Sequence, residues 1–425
     1  MKIIKKLSLG LSVLLILVLA GGHFYLNSGS KSPDNSVWTA FIGRDTTVGI
    51  LPDTYANYYT YALVRTSKNT AFKVSGEFPD TRYMSFNVYS LHDNTSQGSL
   101  VDYQITPDNG LPNRFLADES QVQTGERFTT YIVPERYQEL ELDNKLVFKD
   151  DVRFLLMVIR LYDFNVDDFG GVEYPTVQAL SFESDGEQQF EAPVSLPRPL
   201  DLRAIVQRVS LPGMVARLGE LYETEAKAPL EQSLMSNEYQ SIPFHAVDDS
   251  GYIANHDNRY LMAAVTQRSE EVYVISFKSP SYTTGPENIN QTDVRYWSFN
   301  LGNSATYNFN GLKDEDALID QDGFVTIVLA AKDEAIERQA KALGYNFMEW
   351  NMPSKEGLIL FRHMLANPNF EAQIDSVPPF DKELEDFAAV EAYKFMGDYA
   401  PRGIRLSKAE FLSEAARAQH TDSNG

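Results

Sequence analysis

The stretch DTRYMSFN, residues 80–87, returns as DVRYWSFN, residues 293–300, with six of the eight letters unchanged. Other matches flank it in chain order. Upstream, Tyr61-Ala62-Leu63-Val64 resembles Met262-Ala263-Ala264-Val265, and KVSGEFP ending at Pro79 resembles VISFKSP ending at Pro280. Downstream, Asp102-Tyr103-Gln104-Ile105 aligns with Asp316-Ala317-Leu318-Ile319. LLMVIRLYDFNVDDF then resembles GLILFRHMLANPNF, which sets Arg160 opposite Arg362. Matches that keep their order, with spacing that changes only in Gly-, Pro- and Asn-rich stretches, are the trace of a duplicated domain.

Each copy reads as β. KNTAFKVSGEF, RYMSFNVYS, ERFTTYIVP and VRFLLMVIRLY in the first, with EEVYVISFK, RYWSFNLG, GFVTIVLAA and GLILFRHML in the second, are short β-branched or aromatic runs bounded by turn residues. The connections are mostly too short for the helices that parallel strands need, so each copy is expected to be an antiparallel β-sandwich. Helical periodicity falls elsewhere: LDLRAIVQRV and PGMVARLGELYE between the copies, EAIERQAKALG inside the second, KELEDFAAVEAYKF and SKAEFLSEAARA at the end. The expected fold is mainly β, two tandem antiparallel β-sandwich domains from an internal duplication. They span 38–198 and 240–380, with a helical linker at 199–239 and C-terminal helices and a tail at 381–425.

At 425 residues the chain is too long for one ordinary core, which agrees with two domains. Acidic residues outnumber basic ones 59 to 37, a net charge of −22. That field repels nucleic acid, and no basic aromatic-studded stripe offsets it. Cysteine is absent, which removes disulfides, thiolate metal sites, thiol nucleophiles and a lipid-modified N-terminal cysteine. MKIIKK followed by LSLGLSVLLILVLAGG has the charged-then-apolar order of an export signal. Leu7–Ala20 has signal-peptide length, with Val18-Leu19-Ala20 as a cleavage site; continuing to Leu26 gives about 20 residues, enough to span a bilayer. Residues 1–26 are therefore expected to be a signal peptide or an N-terminal membrane anchor. Either places the bulk of the chain outside the cytoplasm, in the periplasm or at the cell surface.

The stretches YALVR…GEFPDTRYMSFNVYS, IRLY…GGVEYP and RYWSFN…DQDGFVTIVLA…NFMEW…LILFR resemble the double β-sandwich envelope proteins of unknown function. These are a pair of adjoining domain families common in exported bacterial proteins. The resemblance covers most of residues 38–380, more clearly in the second copy. It implies two sandwiches and an extracytoplasmic location, and brings no established catalytic residues.

Read with a period of two, Asp80, Arg82, Met84, Phe86 and Val88 share one face of a strand, and Tyr83, Ser85, Asn87 and Tyr89 the other. The second copy sets Asp293, Arg295, Trp297, Phe299 and Leu301 against Tyr296, Ser298 and Asn300. The apolar members predict the sandwich core. Asp80 with Arg82, and Asp293 with Arg295, then read as salt-bridged pairs where the strand enters the sheet. Arg160 and Arg362 are expected in the same structural role. As ligand-binding candidates the sequence offers Arg82 and Arg295 for an anionic group such as a carboxylate, and Tyr83 and Tyr296 for stacking and hydroxyl contacts. His245 and His256, close to Asp248, Asp249 and Asp257, are the remaining candidates, since imidazole and carboxylate build metal or acid–base sites. Their spacing fits no compact ligand motif, so no metal and no cofactor is expected there. His363 follows Arg362 in a strand, so the two side chains point to opposite faces. DEDALIDQDG (314–323) and DFNVDDFGG (163–171) are oxygen-rich turns without the ligand order of an EF-type loop. GxSxG, P-loop, HExxH and GxGxxG signatures are absent.

The sequence thus points to an exported, membrane-tethered or periplasmic double sandwich that binds a glycan, a lipid-like ligand or a partner at the domain junction, with no nucleic acid. The alternative is an extracytoplasmic lyase or hydrolase acting on such a substrate with Tyr/Arg or His/Asp chemistry. The sequence names no catalytic residue for it.

Overall fold

The computed structural model describes residues 37–38, 40–42, 53–65, 67–90, 95–108, 110–116, 125–164, 169–181, 193–197, 241–246, 255–285, 291–302, 308–352, 355–379 and 391–413. The expected export segment 1–26 and helical linker 199–239 lie outside the described residues. No helix among the described residues is long and apolar enough to cross a membrane. The chain divides into two compact units. One lies within Met1–Leu218 together with Gly251–Asn255 and Thr284–Glu287; the other lies within Gly219–Ser250, His256–Thr283 and Asn288–Gly425.

The first unit holds β1 (Ala40–Ile42), β2 (Ala56–Val64), β3 (Thr70–Glu77), β4 (Thr81–Ser90), β5 (Thr95–Val101), β6 (Arg127–Pro134), β7 (Lys145–Phe148), β8 (Phe154–Phe164), β9 (Thr176–Ser181) and β10 (Pro193–Val194). They form two five-stranded sheets, ordered β1-β2-β8-β4-β5 and β10-β9-β3-β6-β7. The alternation read from the opening octapeptide holds. Met84, Phe86 and Val88 enter the core with Phe72, Phe128 and Ile159, where aromatic rings meet mostly edge to face (Phe86–Phe128 at 5.4 Å).

The second unit holds β11 (Ser241–Ile242), β12 (His245–Ala246), β13 (Asn258–Thr266), β14 (Glu271–Lys278), β15 (Tyr296–Gly302), β16 (Asn308–Lys313), β17 (Phe324–Ala330), β18 (Asn346–Glu349), β19 (Glu356–Met364) and β20 (Arg402–Ser407). Its sheets run β12-β13-β19-β15-β16 and β11-β20-β14-β17-β18. Trp297, Phe299 and Leu301 occupy the core beside Phe277 and Phe361. The chain is mainly β, two tandem sandwiches whose strands run in matching order except at one edge, where β10 follows β9 in the first unit but β11 opens the second.

The match extends to details that sequence identity hides. Asp102 and Asp314 are fully buried in equivalent 3-10 turns, and each accepts the N–H of the third residue of the repeated Arg-Tyr-x unit: Met84 at 2.7 Å, Trp297 at 3.0 Å. The neighbouring strand has ended there, and the carboxylate stands in for its missing carbonyl. Asp102 therefore corresponds to Asp314, not to Asp316 as the sequence alignment has it. The match of Tyr61 with Met262 also slips by one residue. Tyr58 pairs with Arg160 and Tyr260 with Arg362, which puts Tyr61 opposite Ala263, both in a core. A one-residue slip exchanges the faces of a strand, so only the pairing register resolves it. Both copies end their central strand with a non-glycine residue in the left-handed region, Asp163 (φ 50°) and Leu365 (φ 47°), whose N–H groups bond to Tyr55 O and Asp257 O.

Two expectations are corrected. The sheets are not wholly antiparallel, because β6–β7 and β17–β18 pair in parallel. Helix α1 (Glu334–Ala342), which the EAIERQAKALG pattern predicts, makes the second crossover; Asp333 caps it by accepting from Ala335 and Ile336 N–H. In the first copy a 3-10 turn, Glu135–Tyr137, lies between the paired strands. Residues 381–425 are not helices and tail alone. Short helices do occur at Tyr393–Met396 and Lys408–Leu412, but β20 lies between them and pairs with both β11 and β14. RGIRLS carries too few apolar letters to read as a strand unaided; pairing on both sides makes it one.

Candidate functional site

β2, β4 and β8 are neighbours in one sheet, and their inward alternation leaves a second set of side chains on the opposite face. There the sequence supplies hydroxyls and amides: Tyr58, Tyr83, Ser85, Asn87, Tyr89 and Tyr162, surrounding Arg160. Tyr83, Ser85, Asn87, Tyr89, Arg160 and Tyr162 are all buried. The Arg160 guanidinium lies over the rings of Tyr58 (5.1 Å) and Tyr89 (5.6 Å) and donates through Nη2 to the Tyr89 hydroxyl at 3.0 Å. The Asn87 amide donates to Ser85 Oγ at 2.8 Å, and the Tyr58 and Tyr162 hydroxyls share a hydrogen bond of 2.8 Å. The Tyr83 ring meets Tyr162 edge on at 5.3 Å, and its hydroxyl accepts from the Asn255 amide of the same unit at 3.1 Å. Burial pulls the Arg160 pKa down. The surrounding tyrosines, Tyr89 first, more than offset this and hold it above its ordinary value. The result is a permanent cation in a cup of hydroxyls and aromatic faces, groups that recognise a carboxylate and its neighbouring hydroxyls.

The second sandwich repeats the frame. Arg362 is fully buried with its guanidinium 5.0 Å from the Tyr260 ring centre, and Asn300 donates to Ser298 Oγ at 3.0 Å. Two positions differ. Tyr89 pairs with Leu156 as Gly302 pairs with Leu358, and Tyr162 pairs with Tyr83 as Met364 pairs with Tyr296. Gly302 and Met364 carry no hydroxyl, so those of Tyr89 and Tyr162 are not repeated at these two positions.

The Asp-x-Arg units do not pair internally. Asp80 precedes β4 and meets Arg114 at 3.3 Å, while Arg82, inside the ladder, meets Asp163 at 3.7 Å. Asp293 accepts from the N–H and hydroxyl of Ser281, both at 2.8 Å, and Arg295 is buried. Residues two apart on a strand are separated by about 7 Å, whereas cross-strand neighbours sit about 5 Å apart, so Arg82 turns across the sheet. Tyr83 and Tyr296 lie on the expected face, buried rather than open to solvent. His245 is on the edge strand β12 opposite Met262, and His256 is exposed in the turn before β13, its carbonyl accepting from Arg259. Asp248 and Asp249 lie outside the described residues, among which no group of three metal-ligating side chains occurs.

His363 faces the core, opposite to Arg362, as the parity requires. In DEDALIDQDG, Asp314 is buried, while Asp320 accepts from the N–H groups of Asp322 and Phe324 within the turn. Of DFNVDDFGG, residues 165–168 lie outside the described residues. Sequence reasoning missed Tyr58, Tyr162 and Asp163 as partners. The available signal was Arg160-x-Tyr162 on one face of IRLY.

The fold defines a double β-sandwich protein. No protein-family model matches the chain, and no curated protein sequence matches it. Among solved structures, an uncharacterised protein from Burkholderia cenocepacia is similar at 14% identity, with 94% of this chain and 88% of that one covered and a TM-score of 0.51. A Vibrio parahaemolyticus protein is 10% identical over 84% of this chain and 94% of its own, with a TM-score of 0.39. The Burkholderia structure supports the fold alone.

Proposed function

We propose that the chain is an extracytoplasmic binding protein, tethered or exported through its N-terminal segment, whose first sandwich takes a small hydroxylated carboxylate. The single observation behind this reading is the difference between the copies: the same Arg-Ser-Asn frame, with Tyr89 and Tyr162 beside Arg160 at the two positions where the second copy has Gly302 and Met364. A guanidinium receives a carboxylate through paired N–H donors, and phenol hydroxyls and rings receive a sugar acid's hydroxyls and its apolar face. Such a face suits a glycan acid better than a fatty acid, which would leave its hydroxyls without partners. The side chains of the cup, Tyr58 apart, are buried, so binding couples to local opening and association is slow.

Thermal shift and calorimetric titration with glucuronate, a neutral hexose and laurate test this reading. Glucuronate should raise the melting temperature of the wild type. The double variant Tyr89→Phe/Tyr162→Phe, which keeps both rings, should lose that shift. No response to glucuronate, or an unchanged response in the double variant, would remove the ligand site and leave partner binding in its place.

A further inference from the structure

At one core position the two sandwiches differ in kind. Leu161 follows Arg160 and lies opposite Met84 and Asn57; His363 follows Arg362 and lies opposite Trp297 and Arg259. Both side chains are buried. The first copy therefore shows that this position accepts leucine, yet the second carries an imidazole. His363 is packed by Phe361 (rings 5.0 Å apart) and Phe370 (6.0 Å), and neither ring nitrogen has a hydrogen-bond partner among the described residues. A buried polar group without a partner costs stability, and an added charge there would cost more.

The charged surroundings sharpen this. From β13, Arg259 faces His363 and pairs with Asp375 of the overlying 3-10 turn Ile374–Ser376. Immediately before β15, the buried Arg295 lies two residues from Trp297. Lys278 of β14 holds its ammonium over Tyr399 (5.6 Å), which packs on Phe370 at 5.1 Å. Glu371, in the overlying segment, is exposed. Arg259 is paired with Asp375, so burial of the ring is what opposes a positive charge on the imidazole.

The segment over His363, Asn367–Val377, belongs to no strand. It is held by the Asn367 N–H bond to Asp293 O (2.8 Å), by its own turns, by the Arg259–Asp375 pair and by Phe370, Ile374 and Val377 inserted in the core. We propose that His363 is an acid-operated release, whose protonation frees Asn367–Val377 from the second sandwich and uncovers Phe370, Ile374 and Val377. Burial drives the His363 pKa down from 6.5 to about 3 in the closed state, so closure requires the neutral ring. Once the segment opens, water reaches the imidazole and its ordinary value returns. The closed state keeps its full advantage above about 6.5 and loses it progressively as pH falls toward about 3. The release rests on the extracytoplasmic location proposed above for its exposure to acid, and not on the ligand.

Hydrogen exchange of the full chain from pH 7.5 to 4.5, corrected for intrinsic rates, tests the release at the amides of Asn367, Phe370 and Val377. In wild type their opening constant should rise about tenfold per pH unit below 6.5, about 100-fold at pH 4.5. His363→Leu, the sister copy's residue, should show no such rise. Equal acid sensitivity in both proteins, or none in either, overturns the proposal. If His363→Leu does not fold, the wild-type imidazole NMR titration decides. A ring that protonates near 6.5 while the three amides stay protected refutes the release, and one that protonates only as they open supports it.

Discussion

Replacing Asp102 with alanine should destabilise the first sandwich more than most single changes in this chain. Its Oδ2 accepts from Met84 N–H at 2.7 Å and its Oδ1 from Tyr103 N–H at 2.6 Å, and the residue is fully buried. Water cannot replace either bond. Hydrogen bonds to a charged group contribute about 1.5–3 kcal/mol each, so the loss of two predicts about 3–6 kcal/mol. That is a large share of the roughly 5–15 kcal/mol that stabilises a domain. Asp102→Asn keeps one oxygen acceptor but loses the charge and turns an N–H toward one donor, which predicts about half the loss. Asp314 makes the same contacts to Trp297 and Glu315, at 3.0 and 2.8 Å, so its variants should rank alike in the second sandwich. Equilibrium urea unfolding with amide exchange at Met84 and Trp297 in the same samples reads both. An Asp102→Asn variant as stable as wild type, or a cost under about 1 kcal/mol for Asp102→Ala, would refute this role of the carboxylate. Either result would mean that burying the carboxylate cancels the bonds it makes.

Three further outcomes follow from particular contacts. Gly403→Ala would bring a new Cβ to 2.9 Å from Ile242 Cβ, so β11 and β20 must part; a loss of about 1–3 kcal/mol by urea unfolding is expected, and none if β20 were a loose tail. Arg65→Lys should cost about 1.5–3 kcal/mol in the same assay, because one ammonium cannot reach the carbonyls of Val152 and Lys68 (both 2.8 Å) while keeping its place over Phe148. Asp333 is held below its ordinary 3.8 by Lys408 and by helix N–H groups, and Glu410 below 4.5 by Ser407. Their contribution is complete above those values and disappears as pH falls through the lowered ones. After correction for intrinsic rates, the opening constant at the Ser413 amide should therefore stay constant from pH 6.5 to about 5 and rise only in stronger acid, unlike the amides over His363.

How much of this was legible in the chain varies from residue to residue. The face of every side chain in the repeated octapeptide follows from the two-residue period, since strand alternation is local geometry. The helix at EAIERQAKALG was legible from its own helical period; its cap, Asp333, came only with the structure. The partners of Arg82 and Asp80 were not. Asp163 and Arg114 are distant in sequence and reach their places only when β8 and the 102–116 segment pack beside β4. β20 was missed because its six residues carry little apolar signal, and the equivalence of Asp102 with Asp314 because only isolated letters such as Leu100 and Leu312 repeat in that register.

The sequence by itself determined the class of fold, the duplication and which side chains of the repeated strand face the two cores. These depend on hydrophobic alternation and turn chemistry, which act between neighbours in the chain. Tertiary structure alone decided that the Tyr-Ser-Asn face is buried around Arg160, that Tyr89 and Tyr162 distinguish the first copy, and that His363 takes the place of a core leucine. Those facts depend on pairing register, where a shift of one residue exchanges the core for the opposite face, and no local pattern records it.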